Sequence, residues 1–295
     1  MSRSLLTVAC AALLLASTTA PAQTSATVRL LEPGSGQLQP LRYRFESGRT
    51  ETARLDSTVQ MTMVATGVQL PLVEATPITM ELRLRTAEVA ADGSARLAFE
   101  VLSAQATGNS ATAAQMNAAL AGLKGLSGNY SLDSRGMVSI GQSAASSRAP
   151  GASTPSVAEI QEQMQLLATP LPVEPVGVGA RWQAVQQTTT NGLEVTQTTE
   201  YTLRSRNGSQ VELEVKVVDV KLPDLGGVLP GASVSSATSS GSGRANVNLA
   251  GLVPRSSQDT EMAIAVALDL QGLSQSMAMH VKIRQEIAPA TAPGN

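Results

Sequence analysis

Apolar and polar residues alternate at every second position through long stretches of this chain, and short Asp-Gly or Asn-Gly runs punctuate them. Alternation of this kind puts the apolar side chains on one face of an extended strand, because successive Cβ atoms point to opposite sides. Leu41, Tyr43 and Phe45 alternate with Arg42, Arg44 and Glu46. Met80, Leu82 and Leu84 alternate with Glu81, Arg83 and Arg85, and Ala95, Leu97, Phe99 and Val101 follow after Asp92-Gly93-Ser94. Val211, Leu213, Val215 and Val217 repeat the device behind Asn207-Gly208-Ser209. Asp-Gly and Asn-Gly supply the positive φ angles of a tight turn, so each case predicts a hairpin with one buried face. Residues 245–287 give three further alternating runs, the last with Met277, Met279, Val281 and Ile283 on one face.

The two hairpins share a pattern. Glu81-Leu82-Arg83-Leu84-Arg85 and Phe99-Glu100-Val101 stand beside Glu200-Tyr201-Thr202-Leu203-Arg204 and Leu213-Glu214-Val215. An internal duplication and the general likeness of charged hairpins both account for this.

Between the halves the period changes. Met116, Leu120 and Leu123 recur at i, i+4 and i+7 and Gly125 follows as a stop, which predicts a helix over residues 110–123. A second helix is predicted over 155–168, with capping-box spacing from Ser156 to Glu159 and a stripe of Val157, Ile160, Met164 and Leu167. Residues 142–154 read as an exposed linker, and the Ser/Gly-rich residues 233–243 as a mobile loop or weak edge. The expected fold is α+β and mainly antiparallel β. It is a curved sheet or half-barrel of two β-meander halves, residues 23–141 and 155–290, with two covering amphipathic helices and a disordered tail at 291–295.

Residues 1–22 carry Arg3, an apolar run over 5–16 and Ala20-Pro21-Ala22. This is the pattern of a secretory signal peptide cleaved after Ala22, and the apolar run is too short to span a bilayer. Removing it takes away Cys10, the one cysteine, so the mature chain forms no disulfide. The expected location is exported, periplasmic or extracellular, with no transmembrane segment in the mature chain.

The chemistry available is narrow. With 21 Lys plus Arg against 23 Asp plus Glu, the chain lacks the basic surplus of a nucleic-acid binder. One His and one Cys leave little material for a metal centre or a nucleophile. His280, between Met279 and Val281, reads as a surface strand histidine. Glu81, Glu100, Glu212 and Glu214 are interleaved with Arg83, Arg85, Arg96 and Lys216, the pattern of a solvated ion-paired face. Only six aromatic residues are present, too few to favour sugar stacking. The chain therefore reads as non-enzymatic, with no catalytic residue, metal or cofactor.

Methionine is the remaining clue, since aliphatic residues and ten methionines replace the scarce aromatics. Unbranched and flexible, methionine adapts to irregular shapes, so Met61, Met63, Met80, Met277 and Met279 are candidates for lining an apolar ligand site.

Two runs, LPVEPVGVGARW at 171–182 and GNYSLDSRGMV at 128–138, resemble a family of uncharacterised exported bacterial proteins, β-rich domains of unknown function behind a signal peptide. In that family a Pro-x-Gly-x-Gly-x-x-Trp element opens the second half, here Pro175, Gly177, Gly179 and Trp182, and a G-x-Y-x-L-D-x-x-G hairpin closes the first. The resemblance implies structural roles: a strand entry at Trp182 whose ring plugs the end of the core, and a turn at Asp133 to Gly136. It implies no activity. The order of elements is also similar to that of periplasmic lipoprotein carriers, whose half-barrel encloses an apolar cavity, a likeness of architecture alone. The functional expectation is an envelope protein that binds a lipid or other apolar ligand on a concave sheet face. The alternative is a structural or assembly factor acting through contacts with envelope proteins, without a small ligand.

Overall fold

The computed structural model describes residues 26–65, 68–69, 73–74, 76–108, 111–139, 164–190, 193–222, 232–270 and 273–290. The first half holds β1 (Thr27–Glu32), β2 (Ser35–Gln39), β3 (Thr50–Ala65), β4 (Val68–Gln69), β5 (Val73–Glu74), β6 (Ile78–Val89) and β7 (Ala95–Ala106). Helix α1 (Ala111–Leu120) follows and tightens into a 3₁₀ turn at Ala121–Leu123, before β8 (Ser127–Leu132) and β9 (Val138–Ser139). A 3₁₀ turn at Met164–Leu167 leads to β10 (Val176–Val178), β11 (Arg181–Thr190), β12 (Leu193–Asn207), β13 (Gln210–Lys221), β14 (Ala232–Asn248), β15 (Arg255–Leu270) and β16 (Leu273–Pro289).

Fourteen of these strands make one antiparallel sheet in the order β1-β11-β12-β13-β14-β15-β16-β3-β6-β7-β8-β9, with β4 and β5 paired to β3. The sheet does not close on itself, so β1 and β9 are its edges. β10 and β2 pair separately. The seam between the halves is the β16–β3 ladder, thirteen residue pairs from Met277↔Ala65 to Pro289↔Ala53.

Both expected hairpins form. Gly93 (φ 81°) and Gly208 (φ 58°) take the left-handed conformation their turns require. Asp92 Oδ1 accepts from the Ser94 backbone N–H at 2.9 Å and from the Ser94 hydroxyl at 2.7 Å. Leu82, Leu84, Leu97, Phe99, Val101, Val211, Leu213, Val215 and Val217 are all buried, as the alternation requires.

Three expectations change. One α-helix is found among the described residues, not two. Of the second, only the Met164–Leu167 turn is described, and 155–163 lie outside the described residues, as do the export segment and the linker at 142–154. Residues 233–243, expected as a mobile loop or weak edge, belong to a 17-residue strand, Ala232–Asn248, in the middle of the sheet. Tyr43 and its neighbours alternate as foreseen yet form no ladder. Their segment crosses the ends of other strands instead, with Tyr43 N–H donating to Ser134 O and Arg44 N–H to Leu249 O.

Two cores occupy one face of the sheet. The first gathers Leu82, Leu84, Phe99, Val101 and Tyr130 under α1, whose Met116 and Leu120 pack on it together with Leu123 of the 3₁₀ turn. The second gathers Leu41, Trp182, Tyr201, Leu203 and Leu213. Phe45 touches both and stacks on Tyr43 at 5.8 Å. The opposite face carries cross-strand ion pairs such as Arg83–Glu100 (2.7 Å) and Arg181–Glu200 (2.8 Å).

A strap at 164–173 fastens both cores. Thr169 N–H donates to Tyr43 Oη (3.0 Å) and Trp182 Nε1–H to Pro170 O (2.9 Å). Leu171 N–H donates to Arg135 O (2.8 Å), and Arg42 donates to Pro172 O and Val173 O.

Burial raises the Tyr43 hydroxyl from its ordinary 10.0 to about 12, and raises Tyr130 and Tyr201 as well. With a raised pKa the unfolded state ionises first, so this stability is complete below pH 10.0 and is lost as pH climbs through about 12. An alkaline titration followed by phenolate absorbance and circular dichroism is expected to show all three tyrosines ionising only as the fold is lost. Full phenolate absorbance over an intact dichroism spectrum would contradict their burial.

Candidate functional site

β3, β14, β15 and β16 run for 16 or 17 residues, against 12 in β6, β7 and β13. At about 3.3 Å per residue they reach about 50 Å and pass beyond both cores. Their contributions to the cores, Ala53, Leu55, Ala245, Val247 and Ile287, all come from one end.

Register assembles the other end. Residues directly opposite each other across an antiparallel ladder share a face, so rows can be read across the four strands. Ala245, Ser256, Ile287 and Leu55 form the last core row. Next come Gly243, Gln258, Gln285 and Ser57, then Gly241, Thr260, Ile283 and Val59. Beyond these lie Ser239, Met262, Val281 and Met61, followed by Ala237, Ile264, Met279 and Met63. Val266 and Met277 stand opposite each other beyond that.

Four of the five methionines singled out from the sequence therefore meet. Met61, Met63, Met277 and Met279 share this face, Met63 lies opposite Met279, and all four are half-buried. Met80 does not join them: it stands opposite Leu55 and packs on the first core. Met262 and Ile264 belong to the patch and were not singled out. Their alternation along β15 is visible in the sequence, but their neighbours on β16 are set by pairing.

No side chain in these rows is ionisable. The charges of the same strands point the other way, where Glu261 meets Lys282 at 2.9 Å and His280 Nε2 lies 3.9 Å from Glu261. The hydrogen bond from Lys282 holds the Glu261 carboxyl below its ordinary range. On the core side the polar groups are neutral. Gln258 Nε2 donates to Thr260 Oγ1 at 3.0 Å. Ser239 Oγ is sealed from solvent without a partner, a state that costs about 1–3 kcal/mol.

A shallow depression of about 220 Å³ lies on the charged side, lined by Thr62, Val64, Thr238, Ala265, Ala278 and His280. It is smaller than the few hundred cubic ångströms typical of ligand clefts.

Trp182, Gly177 and Gly179 lie at the opposite end, in structural positions. Trp182 is fully buried and stacks on Tyr201 at 5.7 Å. A Cβ on Gly177 would fall 2.1 Å from Ser35 O, where β10 meets β2, and Gly179 turns with φ 84°. No protein-family model matches the chain, and no curated protein is similar to it.

Because the methionine rows belong to neither core, Met279→Ala is expected to cost about 1 kcal/mol or less, against about 2–5 for Leu213→Ala in the second core. Urea denaturation of both variants checks this, and equal losses would make the patch a third core.

Proposed function

We propose that this chain is an exported, non-enzymatic binding protein that holds a flexible apolar ligand, of the acyl-chain kind, on the core-side face of β3, β14, β15 and β16. The observation that carries this reading is the convergence of Met61, Met63, Met262, Met277 and Met279 from three strands onto one half-buried face. Thioether side chains present a soft surface that re-forms around chains of different length and bend, and aromatic rings do not. Uncharged rows on this side suit a hydrocarbon, and the charged opposite side keeps the sheet hydrated. Export to an envelope compartment is supported by the pattern at residues 1–22 and by the lack of any cysteine beyond them. Export, though no particular activity, accords with the resemblance to exported β-rich proteins noted for residues 128–138 and 171–182.

Native mass spectrometry of the mature protein, purified from its own envelope without detergent, tests the reading. A reproducible added mass that disappears on solvent extraction is the expected result. Met63→Asp and Met279→Asp, each placing a carboxylate in the apolar rows, are expected to reduce uptake of an offered acyl ligand by about tenfold or more while circular dichroism stays native. A clean apo mass with no uptake overturns the carrier reading and turns attention to the sheet edges at β1 and β9 as protein-contact surfaces.

A further inference from the structure

We infer that the ligand of this face has an uncharged, hydrogen-bonding head group, received by the row of Gln258, Gln285 and Ser57, with its chain lying along the methionines. This rests on the binding reading above and adds a chemical class to it.

The rows change character along the four long strands. The last core row is apolar except for Ser256, with Ala245, Ile287 and Leu55. The methionine rows are apolar except for Ser239. Between them runs a polar belt, Gln258, Gln285 and Ser57 in one row with Thr260 in the next, all on the core side. A sheet that simply continued its core would carry aliphatic side chains at these positions. The belt residues are at most half-exposed, so they do not serve as an ordinary solvated surface.

Their hydrogen-bonding capacity is largely unspent. Gln258 donates to Thr260 Oγ1, which leaves its carbonyl oxygen and a second N–H. The side chains of Gln285 and Ser57 have no partner among the described residues. Ser239 Oγ, two rows nearer the methionines, is sealed from solvent and also unpaired. Buried polar groups are ordinarily satisfied, and of these side chains Ser239 Oγ is the one both sealed and unpaired, while the half-buried amides and hydroxyl of the belt stay open to a molecule that brings its own partners.

Charge selects the class of head group. An amide offers a donor and an acceptor with no net charge, which fits an ester, an amide or a hydroxyl. Among the described residues a carboxylate or an ammonium brought to this belt meets no counter-charge in its own rows, because Glu261, Lys282, Arg284 and Asp259 all lie on the other side of the sheet. Neutral acyl esters and amides are therefore admitted, and ionised fatty acids and amines are disfavoured.

Isothermal titration calorimetry of the mature protein at neutral pH, with monolauroylglycerol, laurate and dodecylammonium below their micellar concentrations, separates the possibilities. These probes share one chain length and differ in head-group charge. The wild-type protein is expected to bind the glycerol ester at least about tenfold more tightly than either ion. Gln258→Leu with Gln285→Leu, which keeps side-chain volume, is expected to lower ester affinity to the level of the ions without abolishing binding. Ser57→Ala, a smaller change at the edge of the belt, is expected to lower it in part, and supplies the test if the double variant does not fold. Equal affinities for all three probes, or tighter binding of an ion, overturn the neutral-head inference and leave the carrier reading standing. An unchanged ester preference in the folded variants overturns the assignment to the belt. Failure of all three probes to bind overturns the carrier reading itself.

Discussion

The hydrogen bonds of residues 169–173 are the constraint on which the arrangement of both cores depends. The strap sends Met164 and Leu167 into the first core and Leu171 into the second. It stays there because its backbone is satisfied at each step, by Tyr43 Oη, Trp182 Nε1, Arg135 O and the Arg42 guanidinium. Removing the Tyr43 hydroxyl or the Trp182 indole N–H strands a buried backbone group, at about 1–3 kcal/mol each. Gly136 belongs to the same knot: a Cβ there would sit 2.4 Å from Thr169 O and 2.9 Å from Tyr43 Cε2. The runs at 128–138 and 171–182 therefore meet at one place, through Arg135, Gly136 and the strap.

With that end locked, the rest of the sheet follows from two hairpins of matching register. Leu82 faces Val101 and Leu84 faces Phe99 in one, and Tyr201 faces Val215 and Leu203 faces Leu213 in the other. These are the pairs that alignment of the two sequences places together, so the likeness extends from residue pattern to cross-strand partners. Each hairpin forms the floor of its own core. β14, β15, β16 and β3 join the floors, and the ends of these strands that neither core uses carry the candidate site.

The sequence made faces legible and left neighbours obscure. Period two assigned Met277, Met279 and Val281 to one side correctly, because that follows from strand geometry alone. That Met279 stands beside Met63, 216 positions away in the chain, depends on the β16–β3 ladder, and alternation says nothing about which strands pair. The same gap hid the polar belt, since Gln258, Gln285 and Ser57 look like scattered polar residues until pairing lines them up. Met80 was grouped with the other methionines on composition, and its place opposite Leu55 takes it into the first core. Leu41 to Phe45 alternate like a strand, yet their backbone partners sit in turns far apart in the sheet order, Ser134 between β8 and β9 at one edge and Leu249 between β14 and β15 in the middle.

β14 was misread for a different reason, and its composition bears on the site. A run of Ser, Ala, Thr and Gly has low strand propensity, because such side chains pack poorly on a pleated surface. Propensity is overridden here by two flanking ladders, to β13 and to β15. Small residues are also required by the geometry. A Cβ on Gly243 would lie 2.3 Å from Ser257 O, and one on Gly241 would lie 2.8 Å from Thr260 Oγ1. Glycine at such close approaches is how a sheet bends sharply without breaking its ladder. Gly243 and Gly241 fall in the rows of Gln258 and Thr260, at the step from core to methionine patch. A strand selected for stability alone would carry β-branched residues in those rows and extend the second core outward. The glycines instead put no side chain beside Gln258 on that flank, where its half-buried amide bonds to the buried Thr260 hydroxyl, an arrangement that suits the neutral polar head proposed for this row.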